Sequence, residues 1–304
     1  MKIKNTTGAP LLLCVISALL IGLRFVDLSA FYIDENGYLS MIVLQLIIFA
    51  IPSVFYARFR GMKYLSHLRL RTVKAVDIPL LIFAFGFMIF GGAILCFLMY
   101  RLMPDAFSAS SPANYLPEGT SFGKGLYAVI SVAVIPAVTE EFLYRGIVLT
   151  EYEKNGIPLA VILSSLSFGL IHFDPVRLPI YFFYGIVLSL VLYATRSLLS
   201  SMIVHMANNI FVMFFEVYVY RAAVKQGGGL LMFFLISITA CIIFALLFFG
   251  TAEKTYADLS AKNVRSDYAR RKPLERGNYV TDAVLNPMFI ILIAISIAGM
   301  IICS

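Results

Sequence analysis

From Ile78 to Tyr100 the chain reads IPLLIFAFGFMIFGGAILCFLMY, without a single charged side chain. A run of that length is suited to a bilayer-spanning helix, since about 20 residues rising 1.5 Å each cross a hydrocarbon layer of about 30 Å. Within lipid every backbone group must be bonded inside its own segment, which leaves a helix as the simplest solution. Eight more segments share this character, at roughly 10–29, 39–56, 126–149, 158–173, 178–195, 198–219, 230–249 and 286–303. With 61% hydrophobic and 13% charged residues, little of the 304-residue chain remains for a soluble domain. The predicted fold is an all-α, polytopic membrane helix bundle: an eight-helix core with a ninth, C-terminal helix. Three blocks follow: residues 1–120 with N-terminal helices and a basic loop, a central 121–250, and 251–304 as cytoplasmic linker plus last helix.

The net charge of +7 is explained by where the charges fall. Arg58, Arg60, Lys63, Arg69, Arg71 and Lys74 crowd one connection that holds no acid before Asp77. Placing the N-terminus in the cytoplasm puts 17 Lys/Arg in inner segments and 5 in outer ones, as the positive-inside rule requires. A multi-pass protein of the cell membrane is expected, with anionic lipid near the basic loop 57–74; no nucleic-acid-reading motif is present. Lys2 and Lys4 before the run from Leu11 to Leu23 resemble a signal sequence without a small-residue cleavage site, and read as a retained anchor. Cys14, Cys96, Cys241 and Cys303 lie in apolar segments without CxxC spacing, which suits neither disulfides nor a zinc cluster.

Polar residues inside the apolar segments are therefore the informative ones, because each is costly in lipid. In PAVTEEFLYRG, residues 136–146, Glu141 stands four residues before Arg145 and Glu140 four before Tyr144. Residues four apart share a helix face, so Glu141 and Arg145 make an intrahelical ion pair while Glu140 diverges by about 100° to face a cavity. FGLIH at 168–172 carries His172 one turn after Phe168, and HMANN at 205–209 puts His205 and Asn209 on one face, with Asn208 pointing elsewhere. His67, the third histidine, reads as a solvated loop residue. Counted from the inner helix ends, Glu140, His172 and His205 fall at comparable depths, so a pocket reached from the cytoplasm is expected. A carboxylate beside a neutral imidazole can take a proton from water and return it to a leaving group; a second imidazole with an amide can donate to an oxyanion. Glu140 with His172 suits the first task, His205 with Asn209 the second. The structural alternative is a hydrogen-bonded network that locks helices together.

These three motifs, EEFLYR at 140–145, FGLIH at 168–172 and HMANN at 205–209, resemble in order and spacing the CPBP intramembrane proteases, the CAAX protease and bacteriocin-processing or Rce1-like family. The resemblance covers roughly residues 120–215. It implies an endopeptidase that cleaves a membrane-tethered, lipidated or amphipathic peptide near the cytoplasmic surface, with Glu140, His172, His205 and Asn209 as catalytic positions and Glu141 and Arg145 in support. Bacterial members are linked to peptide maturation and bacteriocin self-immunity. Metal-free catalysis is expected, HExxH being absent and Asn an unusual zinc partner; the alternative is Zn2+ held by Glu140, His172 and His205. Two other classes stay open: a non-catalytic scaffold gripping a partner helix, and a proton-coupled transporter, although no repeated halves are seen.

Overall fold

The computed structural model describes residues 5–26, 37–61, 68–109, 122–224, 228–261 and 279–303. Among them are no strands, and nine apolar helices follow one another: α1 (Asn5–Leu23), α2 (Tyr38–Phe59), α3 (Ala75–Leu102), α4 (Phe122–Asn155), α5 (Ile157–Leu170), α6 (Leu178–Thr195), α7 (Leu198–Val224), α8 (Gly228–Ala261) and α9 (Pro287–Cys303). Six of these, α2, α3, α4, α6, α7 and α8, are long and apolar enough to cross a membrane. The chain is a multi-pass, all-α membrane protein.

Boundaries shift where the hydropathy pattern is silent. Helix α4 runs past position 149 to Asn155 and ends at Gly156, whose φ of +102° is open to glycine but strained for other residues. Helix α8 continues to Ala261, so the expected linker 251–285 begins inside a helix. A short helix, Tyr279–Val284, precedes α9; residues 262–278, like His67 and Lys63, lie outside the described residues.

Two kinds of contact hold the helices. Along the membrane depth they are apolar: Phe244 of α8 lies against Gly86 of α3, and Phe183 of α6 against Gly91, where any Cβ would collide with the ring. Phe97 and Phe234 stack at 4.4 Å between ring centres. At one end of the bundle the contacts are polar. Arg60 pairs with Glu151 at 2.9 Å, Arg69 with Glu153 at 2.6 Å, and the Leu198 amide donates to the Arg69 carbonyl at 3.0 Å. This end carries the basic loop. Among the described residues, 24–26, 103–109 and 171–177 lie at the opposite end.

Helices α2 and α4 are not regular. Each contains a π-helical turn, Leu46–Ala50 and Ile130–Val134, directly before Pro52 and Pro136. Proline lacks the N–H that would close an ordinary turn, and a wider i→i+5 turn lets the chain proceed without that donor. A third π-helical turn, Phe142–Val148, follows Glu141. The two glutamates thus stand on a short α-helical step, Ile135–Glu141, between two widened turns.

Candidate active site

The ion pair expected within α4 forms, and it is fully enclosed. Arg145 Nη1 donates to Glu141 Oε1 at 2.7 Å, with neither side chain accessible. Its Nη2 donates to the Gly185 carbonyl at 3.0 Å, and its guanidinium lies 4.8 Å from the centre of the Phe168 ring. Gly185 lets α6 come close enough for this, because a Cβ there would strike the backbone of Ser165 on α5 at 2.8 Å. Sequence spacing makes Glu141 and Arg145 a self-contained pair, but Glu141 has a further partner. His205 Nδ1 lies 2.9 Å from the same Oε1. A carboxylate engaged by arginine can only accept, so Nδ1 carries a proton, and when that is the only ring proton Nε2 is an acceptor.

His172 follows the same rule by another route. It sits just beyond the last turn of α5, with Nδ1 2.8 Å from the Phe168 carbonyl. A carbonyl also only accepts, so His172 too presents a bare Nε2. Its ring stacks on Tyr181 at 3.9 Å and meets the edge of Phe168. The following turn is fixed by Asp174, whose Oδ1 accepts from the amides of Val176 and Arg177, both at 3.0 Å. Phe168 spaces the site: its ring centre lies 5.0 Å from that of His172 and 5.6 Å from that of His205.

Glu140 faces a cavity of ≈ 320 Å³ that is also lined by His172, His205 and Asn209. Its Oε2 lies 3.9 Å from His205 Nε2, too far for a direct hydrogen bond and close enough for a shared one. Asn209 makes only a long contact, Nδ2 to the Ala133 carbonyl at 3.5 Å. Asn208 does not point elsewhere: it lines the same cavity, is almost fully buried, and its Oδ1 has no hydrogen-bond partner. The cavity face of α7 is wide enough to take residues three and four positions after His205 together.

Two features of this geometry bear on the chemistry. A ring protonated only at Nδ1 accepts at Nε2, so His205 can donate to an oxyanion from Nε2 once that nitrogen also carries a proton. The donors available beforehand are the amides of Asn208 and Asn209. The second concerns the extent of the cavity. Its outer lining is Cys96, Arg177, Glu216 and Val219, all toward the bundle end opposite the basic loop. Counted from Asn155, Glu140 lies roughly 22 Å from the basic end, and His172 lies beyond the far end of α5. The cavity therefore extends from the middle of the bundle toward the end opposite the basic loop. An Arg177–Glu216 pair at 2.7 Å bridges the outer part of the cavity.

Sequence spacing missed Gln45 altogether. From α2 its Nε2 donates to Thr139 Oγ1 at 3.0 Å and to Glu140 Oε1 at 3.2 Å. A lone amide in an apolar helix carries no periodic signal. Among the described residues no three His, Cys, Asp or Glu side chains stand close enough together to hold a metal ion.

Fold and site together define a class: a multi-pass membrane helix bundle with a glutamate, two histidines and paired asparagines gathered in a cavity inside it. The comparisons with known proteins place the central region more narrowly. Residues 122–211 match the family described as type II CAAX prenyl endopeptidase Rce1-like. Over 95 residues the chain is 33% identical to the membrane-embedded CAAX protease MroQ of Staphylococcus aureus (strain USA300). That match spans 29% of this chain and 38% of the relative. No solved structure matches.

Proposed function

We propose that this protein is a membrane endopeptidase that hydrolyses a peptide bond in a membrane-associated substrate, using water activated by Glu140. The observation that carries this reading is the pairing of Glu140 Oε2 with His205 Nε2 at 3.9 Å inside a cavity. A water between them gives its proton to the carboxylate as its oxygen attacks the peptide carbonyl carbon. The amides of Asn208 and Asn209 donate to the resulting oxyanion. The proton then passes from Glu140 to the leaving nitrogen as the carbon–nitrogen bond breaks. Glu141 holds His205 in the tautomer that keeps Nε2 free, and Arg145 holds Glu141. CAAX-type proteolysis by the named relative and by the matching family supports the reaction class.

With the basic loop in the cytoplasm, as the positive-inside rule has it, the cavity is entered from the other side of the membrane. A tethered or amphipathic peptide then approaches past Arg177 and Glu216. The loop itself is left to the inner lipid surface, where Arg58 and Lys74 are exposed while Arg60, Arg69 and Arg71 are engaged by Glu151, Glu153 and Asp77.

The test is purified protein in vesicles and in cells, wild type against Glu140→Gln, with membrane peptides searched for termini that depend on the glutamate. Absence of any such terminus would remove the proteolytic reading. A cysteine introduced at Val219, in a background without native cysteines, should react with a charged thiol reagent added outside; reaction from the cytoplasmic side alone would invert the topology. Phenanthroline should leave turnover intact, and stoichiometric zinc restored together with activity would overturn the water-only scheme.

A further inference from the structure

We infer that Gln45 is a positioning residue for Glu140, so that a helix outside the Rce1-like region 122–211 is part of the active site. This rests on the reading of Glu140 as the base. Gln45 is the last residue of the α-helical step Tyr38–Gln45, immediately before the π-helical turn Leu46–Ala50. Its amide nitrogen has two hydrogens, and both are used: one on Thr139 Oγ1 at 3.0 Å and one on Glu140 Oε1 at 3.2 Å. As the base of the proposed reaction Glu140 is ionised and accepts only, so the amide presents its nitrogen to it.

Thr139 makes the contact directional. Its hydroxyl donates to the Ile135 carbonyl at 2.9 Å, leaving the oxygen free to accept from Gln45. Gln45 is thereby held at a fixed place beside α4 rather than swinging on a flexible stem. The result is a division of labour within one carboxylate. Oε1 is held by Gln45, and Oε2 is the oxygen presented to His205 Nε2. Without the clamp, rotation about the last bond of Glu140 would exchange or tilt the two oxygens, and the water-binding geometry between Glu140 and His205 would be lost part of the time.

The experiment replaces Gln45 with methionine, which has nearly the same length and no N–H. On a peptide cleaved by the wild type, Gln45→Met should lower kcat about tenfold to hundredfold, the scale of a small misplacement of a reacting group, with KM within twofold. A structural role alone would lower the melting temperature and leave kcat per folded molecule unchanged. A second readout needs no substrate: with 13C-labelled glutamate, the infrared difference between wild type and Glu140→Gln isolates the Glu140 carboxylate band. That band should move when Gln45 is replaced. If Gln45→Met does not fold, Thr139→Val, which removes the anchor of the clamp, should show the same signs more weakly. A folded Gln45→Met with unchanged kcat and an unmoved band overturns the inference. A wild type that cleaves no peptide but whose band moves on Gln45→Met would remove the proteolytic reading and leave the clamp standing.

Discussion

The protein uses arginine–carboxylate pairs in two places, and the places differ in what water can do. At the basic end Arg60, Arg69 and Arg71 pair with Glu151, Glu153 and Asp77; the acids are 1–2% exposed, but the arginines keep 11–24% of their side-chain surface. If such a pair opens, the cation can still be hydrated. Around Glu141 both partners are inaccessible, and a third group, His205, depends on the same carboxylate oxygen. If that cluster opens, nothing replaces the lost bonds. The same residue types therefore form a tolerant clasp at one end and an obligatory fixture in the middle, where a lost partner leaves an uncompensated charge.

The sharpest break of this comparison is catalytic. Glu140→Gln and His205→Ala should each reduce turnover by about a thousandfold or more, while melting temperature in detergent stays near wild type for Glu140→Gln. Retained turnover in both would separate the cavity from the chemistry. Next in size, Arg145→Ala should destabilise the protein by about 3–5 kcal/mol by leaving Glu141 buried without its cation. Adding Glu141→Gln should recover part of that loss, without recovering activity, since His205 then loses its carboxylate. Asn209→Ala should lower kcat about tenfold, less than loss of a sole oxyanion donor, because Asn208 remains beside it. At the small end, Arg69→Ala should cost less than Arg145→Ala, because water can reach the place of a cation that is 11% exposed, and leave kcat unchanged. A cost equal to that of Arg145→Ala would erase the contrast between clasp and fixture.

What the sequence disclosed follows the same division. Glu141 with Arg145 is legible because an i, i+4 spacing needs only the helix itself, and the apolar runs announce the helices because lipid permits little else. The Gln45–Glu140 contact spans 95 positions, and no local pattern encodes it. The pairing of His205 with Glu141 was hidden for another reason: sequence spacing already supplied Glu141 with a partner. The depth of the site along the bundle is not legible in the sequence, because helix ends are set by residues such as Gly156 and by the clasp at the basic end. Hydropathy does not register either.

The widened turns before Pro52 and Pro136 carry one further consequence. A π-helical turn is an α-helix that has accommodated one additional residue, and each residue advances the helix by about 100°. Removing a single residue from Leu46–Ala50 or from Ile130–Val134 would restore a regular helix at the cost of its phase. Gln45 and Glu140 would then face different directions while every residue type in the site stayed the same. The bearing of the site on the bundle axis is thus stored as a count of residues within two turns, so in this protein an inserted or deleted residue there is a graver change than most substitutions.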